Sequence, residues 1–259
     1  MAVLSVQDLW RSFGGIRALQ GVSFEVQKGQ ICGLIGPNGA GKTTLFNCLS
    51  RIYDPDRGSI TFEAKNVLKY APHQVISIGI ARTFQNVSLF PTMTVLENVL
   101  MGGHCAVQTN PILSMLSWPS VRRDERRARQ RADSLIDYLH LGAVAQRPSG
   151  LLPFPTRKRV ELARALMSSP KLLLLDEPAG GLSHEEVAEL AGLIRRIRSD
   201  WNLTILLVEH HMNLVMGVSE KVCVMDFGRK IAEGPPAVVQ NDPDVIRAYL
   251  GGERGERTA

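Results

Sequence analysis

The chain has 259 residues, of which 44% are hydrophobic and 21% charged. That length accommodates one large α/β domain, or one core with a smaller inserted lobe, and the composition excludes a chain too polar to bury a core. With 30 Lys and Arg against 25 Asp and Glu the formal charge is +5, an excess that fits a phosphate ligand or an anionic membrane surface and is too diffuse to mark a nucleic-acid binder.

Val3 to Leu9 and Val22 to Val26 read as strands of an antiparallel edge layer, with Gly14-Gly15 as the turn between them. Phe13, at the end of the first strand, could stack on a nucleotide base; a half-buried strand residue is the competing reading. Ile31-Cys32-Gly33-Leu34-Ile35 is a buried strand that enters Gly36-Pro37-Asn38-Gly39-Ala40-Gly41-Lys42-Thr43-Thr44, and Thr44 to Leu49 is a helix that leaves it. The stretch fits GxxxxGK[ST] in the strand–loop–helix context that the phosphate-binding loop requires. Its glycines let consecutive backbone N–H groups wrap a polyphosphate, and the helix N-terminus adds partial positive charge. Lys42 would reach the β- and γ-phosphates, and the Thr43 hydroxyl would ligate Mg²⁺.

Asp54-Pro55-Asp56-Arg57-Gly58 is a turn and Ser59 to Phe62 a short strand. Ile78 to Phe84 is apolar and leads to Gln85, which gains meaning only beside a γ-phosphate, where it could ligate Mg²⁺ or the attacking water. Thr94 to Met101 reads as a helix with a Thr94/Glu97 capping box. Pro111 to Pro119 reads as a loop. The arginine-rich run from Arg122 to Arg131 opens a helix whose apolar positions continue at Ala132, Leu135, Ile136 and Leu139. A solvated face is favoured for those arginines over a lipid or nucleic-acid patch. A helical lobe is expected over about residues 95–167, inserted into a core of 1–94 and 168–240.

Leu172 to Leu175 followed by Asp176-Glu177 reads as a central parallel strand delivering two carboxylates to its C-terminal edge. Asp176 would hold Mg²⁺, and Glu177 would polarise the attacking water. Ser183 and Glu186 form a second capping box, and Val187, Leu190, Ile194 and Ile197 form the buried stripe of the helix that follows. Leu203 to Val208 is a buried strand ending in Glu209-His210-His211. His210 there could contact a γ-phosphate; His211 reads as structural. Lys221 to Met225 is another strand and Asp226-Phe227-Gly228 a turn. A short helix over 241–251 and a frayed tail over 252–259 end the chain.

The cysteines Cys32, Cys48, Cys105 and Cys223 show no CxxC or Cys/His cluster. Buried free thiols in a reducing compartment are expected. No basic segment precedes the first strand, so no signal peptide is expected, and no apolar run approaches bilayer-spanning length. Any membrane role then comes through a partner.

The order of phosphate loop, Gln85, Leu-run with Asp176-Glu177, and His210 resembles the nucleotide-binding subunit of ABC transporters, over nearly the whole chain. Within that superfamily Phe13-Gly14-Gly15, Arg82-Thr83-Phe84-Gln85, Glu209 to Met216 and Asn241 to Gly251 look most like the ATP-binding subunit of branched-chain amino-acid importers. The resemblance implies a P-loop NTPase core with an antiparallel β edge layer and an inserted α-helical subdomain. It implies an ATPase that uses ATP and Mg²⁺. Its expected partners are a second ATP-binding subunit, two transmembrane permease subunits and an extracytoplasmic solute-binding protein, at the cytoplasmic face of the membrane of a bacterial-type cell. By position, Phe13 would stack on adenine, Gln85 would couple the site to the membrane partner, Ala179 to Leu182 would meet the opposite subunit, and His210 would sense the γ-phosphate.

One segment departs from that family. Where its signature reads approximately Leu-Ser-Gly-Gly-Gln, this chain has Leu152-Pro153-Phe154-Pro155-Thr156, followed by a helix expected from Arg157 to Met167 with Thr156 as N-cap. In the family the segment grips the γ-phosphate bound to the opposite subunit. Pro153 and Pro155 have no N–H to give, and each lost hydrogen bond to a charged group is worth about 1.5–3 kcal/mol. A degenerate ATP site at this segment and a different partner ATPase are therefore expected; productive closure of a homodimer is the alternative. Uptake of urea or amides, an export system, a regulatory pseudo-ATPase and a soluble ATPase acting on nucleic acid are the competing functions. No aromatic-interleaved basic groove supports the last.

Overall fold

The computed structural model describes residues 2–83, 85, 87–103 and 119–251. By internal contacts the chain divides into two units, one formed by residues up to Val75 and from Lys171 onward, the other by Ile76–Pro170. Residues 76–94, expected in the core, group with the helical segments. The expected loop at Pro111–Pro119, Cys105, Phe84 and the 252–259 tail lie wholly or almost wholly outside the described residues.

In chain order the first unit begins with β1 (Ala2–Phe13), β2 (Ile16–Gln27), β3 (Ile31–Ile35), α1 (Lys42–Leu49), β4 (Arg57–Phe62) and β5 (Lys65–Asn66). The second unit holds β6 (Ile80–Arg82), α2 (Val95–Met101), α3 (Pro119–Tyr138) and α4 (Phe154–Met167). The first resumes with β7 (Leu172–Asp176), α5 (His184–Trp201), β8 (Thr204–Val208), α6 (Met212–Val218), β9 (Lys221–Asp226), β10 (Arg229–Gly234), α7 (Pro236–Val239) and α8 (Pro243–Gly251).

Two sheets build the first unit. The antiparallel layer runs β2-β1-β4-β5, and the hairpin between β1 and β2 pairs Phe13 with Ile16 across the Gly14-Gly15 turn. The other sheet runs β10-β9-β3-β8-β7, with β3 parallel to β8 and β9, and β7 parallel to β8. Every residue of β3, β7 and β8 is buried. An uninterrupted apolar run has no solvent face, so it suits a strand covered on both sides and lacks the alternation of a surface strand. Parallel order β3-β8-β7 then brings the chain leaving all three strands to one edge, where Gly36, Glu209 and Glu177 follow directly.

The structure corrects several expectations. Strand β10 was not expected: its short, charged sequence carries no apolar run, and it forms by antiparallel pairing with β9 around the Phe227-Gly228 turn. In α5 the stripe is buried at Leu193, Ile194 and Ile197, while Val187 and Leu190 are half-exposed. Helix α3 begins at Pro119, ahead of the arginine run, because proline is tolerated at a first helical position. Its Ala132, Leu135 and Ile136 are buried, as is Leu139 just past its end. Arg131 is not merely solvated: its guanidinium donates to the carbonyls of Leu166 and Met167 at 3.1 and 3.2 Å, closing the end of α4.

Helix α4 also begins early. Its N-cap is Pro153, and the first intrahelical bond runs from the Arg157 N–H to the Pro153 carbonyl at 3.0 Å. Thr156 is thus inside the first turn and caps nothing. Proline's fixed φ fits a helix start, and its missing N–H would have had no intrahelical partner there.

A buried polar residue organises the second unit. Asn98 is fully buried on α2, which carries the expected Thr94/Glu97 capping box. Its Oδ1 accepts the Phe90 N–H at 2.9 Å, and its Nδ2 donates to the carbonyls of Phe90, Met93 and Thr94 at 3.0–3.2 Å. The Ser149 hydroxyl joins the network by donating to the Phe90 carbonyl at 2.8 Å. One amide therefore accepts the Phe90 N–H and adds a second donor to carbonyls that already accept the N–H groups of Met93, Ser149 and Asn98.

Candidate active site

The loop between β3 and α1 adopts a conformation that only glycine can hold at two points. Gly36 has φ +152°, and a Cβ there would sit 2.1 Å from the Met225 carbonyl oxygen; at Gly41, φ +97°, it would sit 2.4 Å from the Ala18 carbonyl oxygen. The first helical bond of α1 runs from Leu45 back to Gly41. The N–H groups of Lys42, Thr43 and Thr44 therefore have no partner within the helix and remain for a ligand.

Lys42 is buried, and its ammonium donates to the carbonyls of Gly36 at 2.5 Å and Pro37 at 2.9 Å. Burial lowers its affinity for the proton below lysine's ordinary value, and the Glu177 carboxylate opposes that shift. Lys42, exposed Thr43, Thr44 and Glu177 share a cavity of about 330 Å³, walled further by Ile16 and Ala18 of β2 and by Phe227.

Asp176 ends β7 with 3% of its surface exposed. Glu177 leaves the strand with φ +46°, its N–H donating to the Val208 carbonyl at 2.9 Å. Past this tight bend Glu177 lines the cavity. His210, after β8, sets Nδ1 4.0 Å from a Glu177 oxygen, and its ring lies 4.7 Å from that of His211. Lys42, Thr43, Glu177 and His210 are therefore assembled at one sheet edge.

Other sequence-predicted residues lie elsewhere. Phe13 is 38% exposed, packs edge-on against Tyr53 with centroids 5.1 Å apart, and is not among the residues lining the cavity. Gln85 belongs to the second unit, where its carbonyl accepts from the Lys158 ammonium at 3.4 Å. Leu152 to Thr156 lie there too: Leu152 is buried, Pro153 exposed and the rest half-buried.

Sequence reasoning missed two participants. Glu209 is fully buried between the loops after β7 and β8. Its signal was present, since an acid directly after an all-apolar strand is the pattern that singled out Asp176. Phe227, 79% exposed on the β9–β10 turn, enters the cavity wall only through the fold and has no such signal.

The residues fit a nucleoside triphosphate with its metal. Buried Lys42, uncommitted N–H groups and a glycine cradle suit phosphate; the Thr43 hydroxyl and Asp176 carboxylate are the hard oxygen donors that Mg²⁺ takes. Residues 19–180 match the ABC transporter family. The chain belongs to the ABC transporter ATP-binding family. It is a transport ATPase that uses ATP and Mg²⁺. Residues 229–254 also match the branched-chain amino acid ATP-binding cassette transporter family.

Among ABC relatives, the high-affinity branched-chain amino acid transport ATP-binding protein BraF of Pseudomonas aeruginosa is 41% identical over 249 residues, covering 96% of this chain and 98% of BraF. LivG of Escherichia coli, of the same description, is 43% identical over the same span and shares. The ADP conformation of MJ1267, an ATP-binding cassette of an ABC transporter, superposes with a TM-score of 0.84 at 32% identity, covering 97% of this chain and 99% of that one. ABC ATP-binding components act with membrane permeases, and among the described residues no helix is long and apolar enough to cross a membrane.

Proposed function

We propose that this chain is the ATP-hydrolysing subunit of an importer of branched-chain amino acids or a related small polar solute. The observation that carries the substrate is the match of residues 229–254, added to 41–43% identity with BraF and LivG over 96% of the chain. Its partners are two transmembrane permease subunits, an extracytoplasmic solute-binding protein and a second ATPase, and it works at the cytoplasmic membrane face.

The cavity supports the roles of the phosphate loop and Glu177, and those of Asp176, His210 and Phe13 rest on the family resemblance. The loop from Gly36 to Thr44 wraps the phosphates, with Lys42 on the β- and γ-phosphates. Thr43 and Asp176 would hold Mg²⁺, which would supply charge neutralisation at those phosphates. Glu177 accepts the proton of the attacking water, and His210 contacts the γ-phosphate. Phe13 stacks on adenine.

The test is hydrolysis by the chain purified with its membrane partners and reconstituted in vesicles. Leucine, isoleucine or valine, presented with the solute-binding protein, should stimulate it several-fold. Stimulation by urea or amides alone would reassign the solute, and hydrolysis indifferent to every solute would end the importer reading.

A second reading concerns symmetry. The two prolines of Leu152–Thr156 support a complex with one weakened ATP site, completed by this segment, and a partner ATPase whose intact signature completes the site on Lys42 and Glu177. A Glu177→Gln complex that hydrolysed ATP as fast as the unmodified one would sink it.

A further inference from the structure

The chain leaving β7 and the chain leaving β8 are joined by one side chain that the roles above do not use. Glu209 is 0% exposed. One of its carboxylate oxygens accepts the Ala179 N–H at 2.7 Å. The other accepts the N–H groups of His210 at 3.0 Å and His211 at 3.2 Å, and lies 3.8 Å from His210 Nδ1. Ala179, itself fully buried, opens the turn to Leu182, in which the Leu182 N–H donates back to the Ala179 carbonyl at 3.0 Å.

The arrangement is specific in chemistry. Three backbone donors converge on a single acceptor-only group, and a buried N–H deprived of its acceptor is costly. Glutamine has the same shape but only one oxygen, so it can serve one loop or the other and presents an amide N–H to the remaining donors. A cation is a poorer explanation. Ligand atoms of Glu209, His210 and His211 do lie within 4.8 Å of one another, yet both Glu209 oxygens are already committed to N–H groups.

We propose that Glu209 is a positioning residue: it sets His210 against Glu177 and ties that histidine to the Ala179–Leu182 turn, so that whatever engages the turn also sets the histidine. This rests on the reading of His210 as the γ-phosphate contact and of Ala179–Leu182 as the turn that meets the opposite ATPase subunit. Engagement of a neighbouring subunit would then reach the hydrolytic histidine through one carboxylate. Glu209 is fully buried and does not line the phosphate-loop cavity, so its removal should lower turnover and leave nucleotide binding alone.

The experiment uses the full transporter complex. Glu209→Gln and Glu209→Ala are compared with His210→Ala and with Glu209→Gln/His210→Ala, recording kcat and KM for ATP and affinity for a fluorescent ATP analogue. Both Glu209 variants are expected to lower kcat by about 10–100-fold, the range for misplacing a reacting group by about an ångström. KM and analogue affinity should stay within about twofold, which also reports a folded site. In the His210→Ala background Glu209→Gln should cost little more, because the two residues act as one unit. Should Glu209→Ala fail to fold, Glu209→Gln, which keeps the volume, carries the test. Unchanged kcat in Glu209→Gln while His210→Ala is impaired overturns the proposal alone. Unchanged kcat in His210→Ala overturns the reading it rests on. Multiplicative losses in the double variant would mean that Glu209 does not act through His210.

Discussion

Two junctions of this chain, Gly36–Thr44 and Leu152–Thr156, have the same local plan and opposite chemistry. Each is a loop that runs into a helix start without a side-chain cap. At the first, Gly41 is the N-cap, and the N–H groups of Lys42, Thr43 and Thr44 are left uncommitted by the helix. At the second, Pro153 is the N-cap and Pro155 lies in the first turn, so two of the positions have no N–H at all. Phe154 adds bulk where the first loop has glycines that admit no Cβ. Its ring also lies near the Arg157 guanidinium and the Lys158 ammonium, at 5.5 and 5.4 Å. The helix dipole is common to both, so a helix start is not in itself a phosphate site. What decides is how many N–H groups face outward and whether a side chain blocks the approach.

The largest effect should come from breaking the first junction. Lys42→Ala is expected to slow hydrolysis by about 100–1,000-fold, the scale for removing one preorganised charge donor. Gly36→Ala should abolish binding of an ATP analogue, since the new Cβ would meet the Met225 carbonyl at 2.1 Å. Titration calorimetry separates the two, with binding retained in the first variant and lost in the second.

Rebuilding the second junction sharpens the comparison. Pro153→Ser with Pro155→Gly returns two N–H groups and a hydroxyl. Subunit association driven by ATP, measured in a Glu177→Gln complex to block turnover, should tighten by about tenfold or more, the worth of one charge-assisted hydrogen bond. No change would mean that the proline segment already closes as well as a glycine-bearing one.

A smaller effect is expected beside that segment. Asn98→Leu leaves the Phe90 N–H without its acceptor, while the carbonyls of Phe90, Met93 and Thr94 keep their other donors. A loss of about 1–3 kcal/mol, read from urea unfolding, is the scale for orphaned buried groups. A stability equal to that of the unmodified chain would show that water replaces the amide.

The smallest effect is a pH dependence of the core beneath the phosphate loop. Burial pushes the Cys32 thiol up to about 12 and the Cys48 thiol up to about 11, from an ordinary 9.0. Both folded values lie above the unfolded one, so the neutral-thiol contribution is complete below about pH 9. It is lost as pH rises through about 11 for Cys48 and about 12 for Cys32. Alkylation of both residues in the folded chain, followed by mass spectrometry at pH 8, should be negligible, and should become complete on unfolding in denaturant.

Much of this was legible in the chain because the signals are local. The Gly36–Thr44 spacing, the Leu172–Leu175 run into Asp176-Glu177, and the two capping boxes each state their structure within a few residues. Strand β10 and the start of α4 were not legible. The first depends on a partner strand, and the second on prolines whose cost disappears at a helix start. Glu209 lay between these cases: the strand-then-acid pattern was visible, but its two roles as acceptor needed a turn 30 residues away.

The sequence by itself determined the phosphate loop, the α/β core and the carboxylate pair, since glycine placement, apolar runs and strand-end acids act through neighbours in the chain. Only the tertiary structure decided that Phe227 walls the cavity, that Phe13 packs on Tyr53, and that Glu209 clips His210 to Ala179. Those outcomes depend on which strands lie side by side, and strand order is set by burial of whole faces rather than by any one segment.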